Sequence, residues 1–239
     1  MKDIFGKALQ DYWNGNYTED PVTETNISEE DVLPLPYLFR EFEEMPELER
    51  VALKQTKGKT LDVGGGAGSH SLYLQKKGMN VFLMDISEGA IAVARKRGVT
   101  NVIHSGLLDY SGEQFDTILL LMNGTGIFET VANTSTYLKH LRSLLKPNGQ
   151  ILIDSSDLRY MFDTTEEGGI WVPADHYYGE LQFTITYKGE QSETFPWLYL
   201  DARLFEKLAS ENGFDFEMVY EGDHYDYLAR LTIADYTHS

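Results

Sequence analysis

The stretch Leu61-Asp62-Val63-Gly64-Gly65-Gly66-Ala67-Gly68 decides the fold. Thr60 to Val63 is a short apolar run with the texture of a strand, and Ser69 to about Lys77 has the texture of a helix. Glycines at 64, 66 and 68 remove side chains where the chain turns sharply from one into the other, so a ligand can approach the backbone. The helix start offers free N–H groups and the positive end of its dipole. Further on, a second strand (Asn80 to Met84) ends in Asp85. A carboxylate at that place is positioned to accept both hydroxyls of a ribose.

Outward from this motif the same alternation continues. Ser87 caps a helix running to about Arg97, with Glu88 in its first turn. Asn101 to His104 is a short strand and Phe115 to Leu121 a longer one. A helix from about Glu129 to Leu145 stops at Lys146-Pro147-Asn148-Gly149, and Gln150 to Asp154 is the next strand. Strands alternating with helices in this way make a parallel, doubly wound α/β sheet. The unbroken apolar run Ile118-Leu119-Leu120-Leu121 fits a strand covered on both faces.

The flanks read differently. Residues 1–57 form a helical, acidic N-terminal cap or lid ahead of a main domain over 58–239. Pro46 kinks or restarts a helix, and Asp11 to Asp31 is expected to be a loop or a segment that orders on binding. In the last third, Leu181, Phe183, Ile185 and Tyr187 alternate with polar residues. Lys188-Gly189-Glu190 turns the chain, and Phe195, Trp197 and Tyr199 alternate back: an antiparallel hairpin with one aromatic face. Pro196 places the returning strand at an edge. Asp201 caps a helix ended by Gly213, and a hairpin of Asp215 to Tyr220 with Tyr227 to Ile233 closes the sheet.

Composition narrows the chemistry. The 239 residues contain no cysteine, which excludes disulfides, thiolate catalysis and Cys-ligated metals and fits a reducing, cytoplasmic location. No secretory signal is seen, and the longest aliphatic run is far short of a membrane span. The net charge is −18, and residues 154–239 hold 18 acidic against 5 basic side chains. Such a surface repels phosphate backbones, so neither nucleic acid nor a membrane is an expected partner.

Two nucleotide classes share a strand–glycine–helix layout with a later acid. A dinucleotide site needs Gly-x-Gly-x-x-Gly, and counting from Gly64 the last position is Ser69. The pattern here is Asp-x-Gly-x-Gly-x-Gly, which resembles motif I of class I S-adenosylmethionine-dependent methyltransferases. The resemblance spans about 58–239 and includes Asp85, Phe115-Asp116, Leu144 to Gly149 and the closing antiparallel strand. It implies a Rossmann-like seven-stranded sheet in the order 3-2-1-4-5-7-6 with the last strand antiparallel. It also implies S-adenosylmethionine as cofactor and methyl transfer by in-line displacement, with positioning as the main catalytic factor. Asp62 would orient the loop near the methionine amino group, and Gly64, Gly65, Gly66 and Gly68 would form the bend against methionine and ribose. Asp85 would take the ribose hydroxyls, Ile86 would pack on adenine, and Gly106 and Leu107 would meet adenine from the third strand. Met122 and Asn123 would lie beside the methyl group.

The acceptor is open at this level. Asn123-Gly124-Thr125-Gly126 is not the Asn-Pro-Pro-Tyr box of amino-nucleobase methylation, and no metal site is read, since Asp154 and Asp157 alone do not make one. Candidates for a base or for orienting the acceptor are Tyr12, Tyr17, Asp157, His176, Tyr177 and Tyr178. The insert at about 158–200 is expected over the carboxyl ends of the strands, where open α/β sheets bind ligands. Its aromatic face lines a small-molecule pocket, covers the body or forms a homodimer contact. Arg40 pairs either with the cofactor carboxylate or in a surface ion pair. The competing functions are a non-catalytic S-adenosylmethionine-binding protein acting through a partner and a methyltransferase acting on a protein.

Overall fold

The computed structural model describes residues 2–28, 30–162, 172 and 176–235. The rest of the insert, 163–171 and 173–175, lies outside the described residues. Twelve strands and seven α-helices are labelled in chain order among the described residues. They are α1 (Ile4–Trp13), β1 (Val22–Thr25), β2 (Asp31–Val32), α2 (Leu35–Leu38), α3 (Glu47–Gln55), β3 (Thr60–Val63), α4 (Ser69–Lys76), β4 (Val81–Asp85), α5 (Glu88–Arg97), β5 (Asn101–His104), β6 (Phe115–Leu120), α6 (Val131–Leu144), β7 (Leu145–Ser156), β8 (Glu180–Tyr187), β9 (Glu190–Gln191), β10 (Phe195–Leu198), α7 (Ala202–Glu211), β11 (Phe214–Glu221) and β12 (Asp226–Ile233).

The main sheet has seven strands in the order β5-β4-β3-β6-β7-β12-β11. β5, β4, β3, β6 and β7 pair in parallel, while β12 runs antiparallel to both β7 and β11. This is the Rossmann-like order expected above. Its central strands are apolar on both faces because both faces are covered. Ile118, Leu120, Ile151 and Ile153 pack with Leu138 and Leu141 of α6 and Phe205 of α7. Their neighbours Leu119, Leu121 and Leu152 pack the other way, with Leu48 and Leu53 of α3 and Leu74 of α4. A run that reads as continuous hydrophobicity is thus two alternating sets, one for each helical layer.

Local capping chemistry sets the helix ends. The Ser87 hydroxyl accepts the Ala90 N–H at 2.9 Å, and Asp201 accepts the Leu204 N–H at 2.9 Å. Pro46 stands at the N-cap of α3, so it restarts a helix. Asp3 serves two helices at once: it accepts the Gly6 N–H of α1 and, across the contact, the Gly89 N–H of α5. The two helices cross so closely that a Cβ on Gly89 would lie 2.5 Å from the Gly6 carbonyl carbon.

The flanking segments join in a second small sheet in the order β10-β8-β1-β2, with β9 on β8. Here the structure differs from the loop expected over Asp11 to Asp31. Val22 to Thr25 is a strand, paired antiparallel with Thr186 to Phe183 of the insert. Pro196 sits in β10, at one end of this sheet, as its missing N–H requires. Tyr187 is fully buried against α1, so one part of the insert's aromatic face covers the body.

Candidate functional site

The loop after β3 is tied to β4. The Gly64 and Gly65 N–H groups donate to the Met84 carbonyl at 2.8 and 3.2 Å. Gly64, Gly66 and Gly68 have φ of +69°, +52° and +88°, a region where glycine is at home and side chains are strained. Gly65 is packed against Leu83, whereas a Cβ on Gly66 would meet nothing within 4 Å. The backbone at 66 therefore borders open space.

Asp85 closes that space from below. It is 8% exposed; Oδ2 accepts the Gly66 N–H at 2.9 Å and Oδ1 the Ser87 N–H at 2.8 Å. Burial pushes its pKa up, and the two N–H groups pull the other way. Ile86 beside it is 72% exposed. Gly106 lies near the Ile86 side chain, because β5 runs next to β4 and Asp85 faces His104. The Leu107 side chain goes into the core, and its neighbour Leu108 is exposed. Asp62 is buried under the loop, where its Oδ2 accepts the Ser71 hydroxyl of α4 at 2.6 Å.

Across the crevice, the end of β6 is strained. Met122 and Asn123 have φ of +68° and +62°, rare for residues with a Cβ. Asp154 of β7 holds this bend by accepting the Asn123 and Gly124 N–H groups at 3.0 and 2.9 Å. Burial raises the pKa of Asp154 to about 6 despite those two donors. The insert is pinned to the same bend. Thr125 Oγ1 and Asn123 Nδ2 donate to the Leu198 carbonyl, and the Trp197 ring rests on Gly126, leaving no room for a Cβ there.

Behind the loop lies a buried network. Glu49 of α3 pairs with the Arg40 guanidinium and accepts a hydrogen bond from His70 Nε2 of α4 at 2.7 Å. Burial pushes Glu49 up, but His70 and Arg40 together hold it below the usual carboxylate range. Burial also pushes His70 down, and Glu49 and Asp62 more than reverse that. Arg40 is therefore in an ion pair, but a buried one, and its Nε has no partner among the described residues.

The candidate catalytic residues fall into separate clusters. Tyr12 packs on Phe39 and on Tyr17, whose hydroxyl donates to Asp20 at 3.0 Å. Tyr178 donates to Asp157 and Tyr177 to Asp201, each at 2.7 Å. Burial raises the pKa of both, so neither ionises near neutrality. His176 is exposed. Two features are not legible in the sequence: the role of Asp154, which there is only an acid too isolated to make a metal site, and the Glu49 network. The first betrays itself only by its place at a strand end, the second by no local pattern at all.

A family model described as a methyltransferase domain matches residues 37–219. The solved structure of a SAM-dependent methyltransferase from Bacteroides fragilis, in complex with S-adenosyl-L-homocysteine, is 42% identical. It superposes with a TM-score of 0.91 over 98% of this chain and 96% of that one. The CcbJ methyltransferase of Streptomyces caelestis shares the fold at 12% identity, with a TM-score of 0.61 over 83% of this chain and 98% of that one. A mitochondrial ubiquinone biosynthesis O-methyltransferase from Schizosaccharomyces pombe is 29% identical over 102 residues. That match spans 41% of this chain and only 37% of the relative's length.

Proposed function

The chain belongs to the methyltransferase-domain family, and from that membership we propose that it is an S-adenosylmethionine-dependent methyltransferase acting on a small molecule. The observation that carries the cofactor is the open cradle at Gly66, bordered by a buried carboxylate whose oxygens each keep an acceptor site. A nucleoside fits it: Asp85 takes the ribose hydroxyls and the exposed Ile86 offers an apolar face to adenine, with Gly106 leaving room beside it. Gly64 to Gly66 lie along the ribose and methionine, and Asp62 with Ser71 braces the loop from beneath. The S-adenosyl-L-homocysteine-bound relative supports S-adenosylmethionine as the cofactor.

When bound, the cofactor supplies a methyl group made electrophilic by its sulfonium. The chain then has to align an acceptor with that methyl group, and such alignment is worth roughly 7–11 kcal/mol in favourable cases. Met122 and Asn123, held in their unusual conformation by Asp154, form the wall on that side. β10 of the small sheet packs on the bend that follows β6, where its Leu198 carbonyl accepts from Thr125, as suits an acceptor small enough to be enclosed. No single acid or base is required of such a site.

The test is incubation of the protein with methyl-labelled cofactor and a metabolite extract, followed by mass spectrometry. The expected result is a labelled small molecule together with S-adenosylhomocysteine. Cofactor binding without any labelled product would favour a non-catalytic binding protein, and label in polypeptide would favour a protein substrate.

A further inference from the structure

The chain after α2 is tied to the start of α4 by Ser69, whose Oγ donates to the Leu38 carbonyl at 3.0 Å, by Arg40, which reaches His70 through Glu49, and by Arg97. Arg97 is the last residue of α5. Its Nη1 donates to the Ala67 carbonyl at 2.8 Å and to Ser69 Oγ at 3.2 Å, and its Nη2 donates to the Phe39 carbonyl at 3.2 Å. The guanidinium also lies over the Phe39 ring, 4.8 Å from its centre. Helix electrostatics does not explain this placement. The last turn of α5 favours cations, but Arg95 and Lys96 supply them there from exposed positions. Arg97 instead reaches the first turn of α4, the end at which a helix repels positive charge. Among the described residues its hydrogen bonds all go to uncharged oxygens, so no ion pair draws it there.

What the guanidinium controls is one peptide unit of the glycine loop. The Gly68 N–H donates to the Gly65 carbonyl at 2.8 Å, and Arg97 holds the Ala67 carbonyl at the other end of the same peptide. Gly68, at φ +88°, can turn either way with little penalty, so these two bonds rather than steric bulk fix the peptide. The turn they close runs from 65 to 68 through Gly66, whose backbone borders the open cradle. Resting on the methyltransferase reading, we propose that Arg97 is a positioning residue for the cofactor: it locks the turn of residues 65–68 in the shape that keeps the cradle open, and it fastens the chain after α2 to that turn.

The test is titration calorimetry of the full chain with S-adenosylhomocysteine, with amide exchange of Gly68 followed by NMR. Arg97→Met keeps an apolar stem against Phe39 but removes every donor. Its Kd should rise by about tenfold or more, as the loss of a charge-assisted contact predicts. Arg97→Lys keeps the charge but puts one point donor in place of the fork, so its Kd should lie between the two, about threefold or more above wild type. In both variants the Gly68 amide should exchange faster than in wild type, while amides in the centre of β6 keep their rates. A merely structural role would lower global stability and move the β6 amides as well.

Wild-type affinity in Arg97→Met would overturn the inference while leaving the methyltransferase reading standing. So would weakened binding with an unchanged Gly68 amide. If that variant melts too early to be titrated, Arg97→Lys decides, and wild-type affinity there overturns the inference. Failure of the wild-type protein to bind S-adenosylhomocysteine would overturn the methyltransferase reading and this one with it.

Discussion

Truncating Asp85 to alanine probes the cofactor seat most directly. Its two oxygens each accept one backbone N–H, at 2.8 and 2.9 Å, and each keeps one acceptor site for a ribose hydroxyl. Two charge-assisted hydrogen bonds are worth about 1.5–3 kcal/mol apiece, and water entering the vacated space returns part of that. A net loss of roughly 3 kcal/mol corresponds to about a 150-fold rise in Kd. The fold itself loses less: the Gly66 and Ser87 N–H groups are left without their acceptor, but a carboxylate that burial already disfavours is removed as well. Titration calorimetry with S-adenosylhomocysteine gives the affinity, and thermal melting by circular dichroism shows that the fold survives. A Kd within about fivefold of wild type, with a normal melt, would refute the reasoning, since no ribose could then depend on that carboxylate.

Other perturbations test separate parts of the site. Gly66→Ala costs about 1–2 kcal/mol of stability for a left-handed φ but meets no neighbour, so denaturant melts should show a folded protein while calorimetry shows weakened cofactor binding; undiminished affinity would count against the cradle. Asp154 has a pKa raised from 3.8 to about 6, so its contribution to stability is fully present below about pH 4 and is lost as the pH rises through about 6. Asp154→Asn removes that dependence. Its unfolding free energy relative to wild type should therefore improve by roughly 3 kcal/mol between about pH 4 and pH 7, and a flat difference would argue against the shift. Glu49→Gln strands the buried Arg40 guanidinium and should cost about 3–5 kcal/mol in urea unfolding; a loss under about 1 kcal/mol would mean that the pair is not held as described.

Much of this was legible in the chain, and the division follows the range of the interactions. Ser87, Asp201 and Gly213 mark helix ends because a cap acts within three or four residues. The strand–helix alternation of the main sheet follows from apolar runs and a glycine bend, each a local signal, whereas its strand order is what the family resemblance implies. Val22-Thr23-Glu24-Thr25 does not read as a strand because its partner is Phe183 to Thr186 and its own pattern carries no core face. Arg40, Glu49 and His70 meet only because the turn after α2, α3 and α4 converge, and no spacing announces that. The strain at Met122 and Asn123 is likewise invisible in their identities. It exists because a carboxylate from the next strand captures their bend, a contact that leaves Asp154 a solitary acid in the sequence.

The pairing of Val22 with Thr186 also constrains how this chain acquires its shape. During synthesis the strands around the glycine loop can pair once β7 has emerged, but the small sheet cannot form. β1 must wait for β8, and the closure of so long a loop is an entropic cost met late. The nascent chain therefore passes through a stage in which the central strands of the main sheet are paired while the small sheet is still open.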